Sequence, residues 1–184
     1  MGDAVASEFS DVTDVAQLVR IVLRLLLAGL LGFVLGFERE QHGKAAGVRT
    51  HMLVAIGSAL FMLIPQQTGI EPADMSRVVQ GLIAGIGFLC AGTILKQGKE
   101  EQQVQGLTTA AGLWTTAAIG MACGLGRETT AVLSALLAFF VMALVPRVVN
   151  LIEGVVGAPR RERDQDGRAL ASARDDEEGM RPPR

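Results

Sequence analysis

Three groups of residues in this chain are of types and at spacings that could do chemistry. The densest is Glu38, Arg39 and Glu40, followed by Arg49, Thr50 and His51 across a short connection containing Gly43 and Gly47. An arginine–carboxylate pair such as Glu38–Arg49 would be charge-assisted and would lock the two flanking segments together. Glu38 and Glu40 are also oxygen donors of the kind Mg²⁺ prefers. Two residues apart, however, they point to different sides of a helix. The second group is Arg20 and Arg24, four residues apart and so on one helix face. They either snorkel to an interface, or Arg24 turns inward onto carbonyls, a carboxylate or an anionic ligand. The third group is scattered: Gln80, Thr93, Thr108, Thr109 and Trp114, whose indole N–H needs an acceptor.

Hydrolytic and redox constellations do not emerge. There is no CxxC, HExxH or P-loop, and His42 and His51, the two histidines, are too few for a zinc site. Cys90 and Cys123 both lie in apolar stretches, as buried thiols or as a pair. The expectation is a protein that is not an enzyme.

The elements that must position these residues follow from composition. The chain has 184 residues, 49% hydrophobic and 4% aromatic, with 22 Gly and no Tyr. Mean hydropathy is +0.37. Charge is concentrated at the ends and in short loops, leaving five long apolar stretches. This excludes a soluble globular domain, a disulfide scaffold and a disordered chain. A net charge of −2 argues against nucleic acid as a partner. The stretches are apolar all round rather than alternating, so helices are expected and not a β-barrel.

The sequence therefore predicts an all-α integral membrane protein, a compact bundle of five transmembrane helices over residues 15–152. The spans fall at about 15–37, 50–64, 78–95, 107–123 and 129–145, with Pro65 ending the second and Pro146 kinking or ending the fifth. Residues 1–14 form an extracytoplasmic segment; they hold no Lys or Arg, so no cleavable signal peptide is expected. Residues 153–184, rich in charge and poor in large apolar residues, are expected to be a disordered cytoplasmic tail. Segments 38–49, 96–106 and 146–184 carry three, two and eight Lys/Arg, whereas 1–14, 65–77 and 124–128 carry zero, one and one. The positive-inside rule then places the N-terminus outside and the C-terminus in the cytoplasm.

Small residues recur at a spacing of four. Gly32/Gly36, Gly81/Gly85 and Gly120/Gly124 form three GxxxG pairs, with Gly87 and Gly92 following the second. Each pair clears one helix face for close backbone approach. The bland consequence is tight packing within the bundle; the functional one is a self-association face or a narrow path lined by backbone and hydroxyls.

Several of these segments together resemble one family. Gly32-Phe-Val-Leu-Gly36-Phe-Glu38-Arg39-Glu40, then Ala46-Gly47-Val-Arg49-Thr50-His51 and Gly57-Ser58-Ala59-Leu60, are similar to the first half of the MgtC/SapB family. Gly85-Ile-Gly87-Phe88-Leu89-Cys90-Ala91-Gly92-Thr93-Ile94 resembles its third-helix motif. Val104-Gln-Gly106-Leu107-Thr108-Thr109-Ala110-Ala111, with Leu113-Trp114, resembles its fourth. The match runs in order from about residue 20 to 150. The resemblance implies a multi-pass protein of the bacterial inner membrane, linked to growth at low Mg²⁺ and, in intracellular pathogens, to virulence. It carries two functional expectations: regulation of other membrane machinery, or Mg²⁺ transport. Many members add a cytoplasmic ACT-like domain, for which the tail here is too short.

The leading expectation is regulation by helix–helix contact, with the lipid bilayer, a second copy or another membrane protein as partner. The alternative is a transporter or channel for Mg²⁺ or another ion, working as a homo-oligomer. No acidic residue lies deep in any span, which weighs against a divalent-cation path.

Overall fold

The computed structural model describes residues 14–95 and 106–156. Among them are five α-helices and no strand: α1 Val15–Gln41, α2 Val48–Gln67, α3 Pro72–Leu95, α4 Leu107–Gly124 and α5 Glu128–Val156. The expected segment 1–13, the anchors Lys96 and Lys99, and the tail beyond 156 lie outside the described residues. Four stretches are long and apolar enough to cross a membrane: Val15–Gln41, Val48–Gln67, Ala73–Ile94 and Glu128–Ile152.

The helix starts follow local chemistry. Asp14 caps α1, its Oδ1 accepting the Ala16 N–H at 3.1 Å. Pro72 stands at the first position of α3, where its missing N–H costs nothing. Hence α3 begins six residues before the expected Val78. At the other end, α1 runs on through Glu38 and Arg39 to Gln41, because both charged side chains find partners within the protein.

Pro65 does not end its helix, contrary to expectation, and of the two expectations for Pro146, a kink or an end, the end does not occur. Pro65 lies in the last turn of α2, which continues to Gln67. Pro146 lies inside α5, which continues to Val156, so the first four residues of the expected tail are helical. A proline removes one N–H and orphans one carbonyl four residues earlier. For Pro146 that carbonyl belongs to Met142, and it receives a bond from elsewhere, described below.

The chain divides into two units, one reaching Ala143 and one beginning at Leu144. The second carries the last turns of α5, Leu144–Val156. The first holds the core: Ala28, Leu31 and Leu35 of α1, Ala55 and Ala59 of α2, Ile119 and Cys123 of α4, and Ala131 and Ala135 of α5. Small residues dominate it, so backbones come close. A Cβ on Gly32 would sit 2.7 Å from the His51 carbonyl oxygen, and one on Gly36 2.7 Å from Val48 Cα. A Cβ on Gly120 or Gly124 would strike the carbonyl oxygen of Ala55 or Ala59. Two GxxxG pairs thus seat α1 and α4 against α2.

The third pair behaves differently. Among the described residues, Gly81, Gly85, Gly87 and Gly92 have nothing within 4 Å of an added Cβ. In α3, Ile86 is buried and Cys90 donates its S–H to the Ala110 carbonyl at 3.1 Å, so that face meets α4. Gly81, Gly85 and Gly92 recur on the opposite face, beside Phe88, which is 79% exposed.

Candidate functional site

Two polar nodes and a buried link between them make up the candidate site. The first node surrounds Arg24. Its Nη1 donates to the Gly124 carbonyl at 3.2 Å and its Nε lies 3.6 Å from Glu128 Oε1. Gln66 Nε2 donates to the same Gly124 carbonyl at 2.9 Å and to Met62 O at 2.7 Å. A helix leaves its last carbonyls without partners. Side chains of α1 and α2 therefore cap the end of α4, while the carboxylate at the start of α5 balances the charge. Of the two sequence alternatives for Arg24, the inward one describes this geometry. Arg20, one turn earlier, is exposed.

The second node surrounds Arg39, only 3% exposed. Its Nε donates to Glu38 Oε2, and its Nη2 donates to the Met142 carbonyl at 3.3 Å. That is the carbonyl left free by Pro146. Glu38 is 5% exposed, and its Oε1 faces His42 Nδ1 at 3.2 Å. The expected Glu38–Arg49 pair does not form: Arg49 and Thr50 are exposed in the first turn of α2. Glu40 does something else again, its Oε2 accepting the Val48 N–H at 2.8 Å and so capping α2 across the connection.

The two carboxylates that the sequence offered to Mg²⁺, Glu38 and Glu40, are engaged separately. One carboxylate is held by a guanidinium, the other by a helix N-terminus. Among the described residues, no three His, Cys, Asp or Glu side chains converge. The contacts made are an ion pair and a helix cap.

Between the nodes, His51 is fully buried, and its Nδ1 lies 2.8 Å from Thr116 Oγ1. Thr116 Oγ1 donates to the Gly112 carbonyl at 2.9 Å, so it accepts from His51 and the proton sits on Nδ1. His51 Nε2, Ser58 Oγ and Glu38 Oε1 are buried and make no hydrogen bond within the protein.

The other sequence candidates stand apart from these groups. Gln80, Thr108 and Trp114 are exposed, and the Trp114 ring therefore faces the surroundings of the bundle rather than its core. Thr109 is buried at 3% exposure; Thr93 is half-buried and donates to its own helix at Cys90 O, 2.8 Å. Cys123 is buried and Cys90 half-buried, both as free thiols. Gln66, Ser58, Glu128 and the Met142 carbonyl were not singled out by sequence. A signal existed for the last: a proline four residues downstream marks an acceptor in need of a donor.

These features define a multi-pass helical membrane protein whose packed helices are joined by arginine contacts at two depths. The chain belongs to the MgtC family, whose sequence profile matches residues 25–151. It is 47% identical to protein SrpB of Synechococcus elongatus, over 56% of this chain and 62% of that one. It is 42% identical to "Putative magnesium transporter YhiD" of Escherichia coli, over 57% and 51%, and 45% identical to protein MgtC of Salmonella typhimurium, over 58% and 44%. The chain thus spans about half the length of the curated relatives it matches. No solved structure matches it.

Proposed function

We propose that this protein serves Mg²⁺ homeostasis in the bacterial inner membrane as a regulator that acts through helix–helix contact, and not as an enzyme. The MgtC family and the name of YhiD supply the link to magnesium. The observation that carries the mode of action is the α3 face. Two of three GxxxG pairs press against backbone within the protein, and the third, Gly81/Gly85, meets nothing. A membrane helix gains little from apolar contact with lipid over protein, so small-residue faces are where backbones associate. Another membrane protein or a second copy of this chain is the partner that suits this face.

The same reading places five spans in the bilayer, N-terminus outside. At 18 residues α4 is about 27 Å long, close to the ~30 Å of hydrocarbon to be crossed. Its Thr109, Gly112, Thr116, Gly120 and Gly124 are buried within the bundle, so it needs less apolar surface than the other four. Lys/Arg asymmetry across the connections supports the orientation.

One observation favours the second reading, ion transport by a homo-oligomer. Ser58, His51 and Thr116 form a buried polar series across α2 and α4, with acceptor atoms to spare. Purified protein in liposomes with a trapped Mg²⁺ indicator separates the two. The regulator reading expects no protein-dependent flux, and loss of low-Mg²⁺ growth when Gly85→Leu fills the α3 face. Flux abolished by Thr116→Val would establish transport and sink the regulator as primary function.

A further inference from the structure

Arg20 and Arg24 line two cavities at once. On one side is a chamber of about 150 Å³, bounded by Gln17 and Ile21 of α1 and by Leu63, Gln66 and Gln67 of α2. On the other is an apolar groove of about 430 Å³, bounded by Leu23 and Leu27 of α1 and reaching Glu128 of α5. The two arginines form the wall common to both.

Among the described residues the charges along this groove do not balance: Arg20 and Arg24 line it with one carboxylate, Glu128, which lies beside Arg24. Arg20 is in none of the ion pairs among the described residues. Arg24 spends two of its three nitrogens on Gly124 and Glu128, which fixes the side chain and leaves N–H groups for another acceptor. A fixed and a free guanidinium, four residues apart on one face, match a phosphate presented from the side.

We infer that Arg20 and Arg24 bind the phosphate of an anionic phospholipid, with its polar headgroup in the glutamine-lined chamber and an acyl chain along Leu23 and Leu27. The groove decides for a lipid over free phosphate. A soluble anion would use the chamber and the arginines and leave the apolar side idle. An alcohol headgroup also suits Gln17 and Gln67, whose carboxamides both donate and accept, and the carboxamide oxygen of Gln66, whose N–H groups are held by Met62 and Gly124. The inference rests on α1 lying in a bilayer, and is independent of whether the protein regulates or transports.

The test is native mass spectrometry of the full chain released from mixed bilayers of phosphatidylglycerol and phosphatidylcholine. Phosphatidylglycerol should be retained preferentially. Arg20→Gln should lower that preference about fivefold, given the typical contribution of one basic residue to an anionic headgroup. Arg20→Lys should recover part of it, and Arg77→Gln, on the exposed start of α3, should change nothing. Equal retention of the two lipids, or an Arg20→Gln protein indistinguishable from wild type, overturns the inference. So does displacement of the lipid by millimolar inorganic phosphate, which reassigns the arginines to a soluble anion. The readout is a lipid ratio, so a failed magnesium phenotype or flux assay leaves it untouched.

Discussion

Replacing Arg39 by methionine tests the second node most directly. Methionine keeps length and removes the guanidinium, so Glu38 is left at 5% exposure with its Oε2 partner gone and only the His42 ring beside Oε1. The Met142 carbonyl, which has no helical donor, loses its bond as well. Breaking a buried pair by removing one partner costs about 3–5 kcal/mol. For a chain of this size that is a fall in unfolding midpoint on the order of 10 °C. Glu38→Gln/Arg39→Met removes both charges and should recover most of the loss, since the penalty comes from the uncompensated carboxylate. Cys123, buried in the core, is a built-in reporter: a thiol-reactive dye labels it on unfolding. Detergent-solubilised wild type, single and double variants would be heated with the dye, with Cys90 replaced by alanine. A single variant within about 1 kcal/mol of wild type, or a double variant no better than the single, refutes the reasoning.

Other expectations follow from the same geometry. Gly120→Ala should destabilise by about 1–3 kcal/mol by pushing α4 off Ala55, whereas Gly85→Ala, in open space, should be neutral or stabilising by up to ~1 kcal/mol; dye-monitored melting distinguishes them. Thr116→Val leaves the His51 Nδ1–H without an acceptor and should cost about 1–3 kcal/mol, while Thr116→Ser should spare most of it in the same assay. Ser58→Ala removes a buried hydroxyl that bonds to nothing in the protein and should leave the midpoint unchanged or raised. Gly126→Ala adds a side chain at φ +71° against the Arg24 guanidinium, and should lower the midpoint more than Gly43→Ala, whose φ of +62° faces open space.

The helices were legible because uninterrupted apolar stretches of bilayer length have one good solution. Their ends were less so. Pro65 read as a terminator and Pro146 as a kink or a terminator, yet a helix can continue through a proline whose orphaned carbonyl finds another donor. The two inward-packing glycine pairs were legible as close-approach faces. Which helix each would meet was not, because spacing within one helix says nothing about its neighbour. The site was misread at Glu38. The sequence offered Arg49, across the connection, as its partner, and adjacent residues on a helix do not normally face each other. Burial reversed this: a guanidinium kept from water bends to the nearest carboxylate. The contacts of Arg24 lie 100 residues or more away along the chain, where no local pattern reaches.

That separation has a consequence for biosynthesis. Arg24 enters the bilayer with α1, but Gly124 and Glu128 are made last but one and last among the helices. The Met142 carbonyl lies 103 residues beyond Arg39. At about 5–20 residues per second, some 5–20 s separate each arginine from its long-range acceptor. During that interval the nascent chain carries guanidinium groups whose final acceptors do not yet exist. A chain cut short before α4 would keep Arg24 in that condition permanently. The same contacts that join the finished bundle are thus among the last that the growing chain can make.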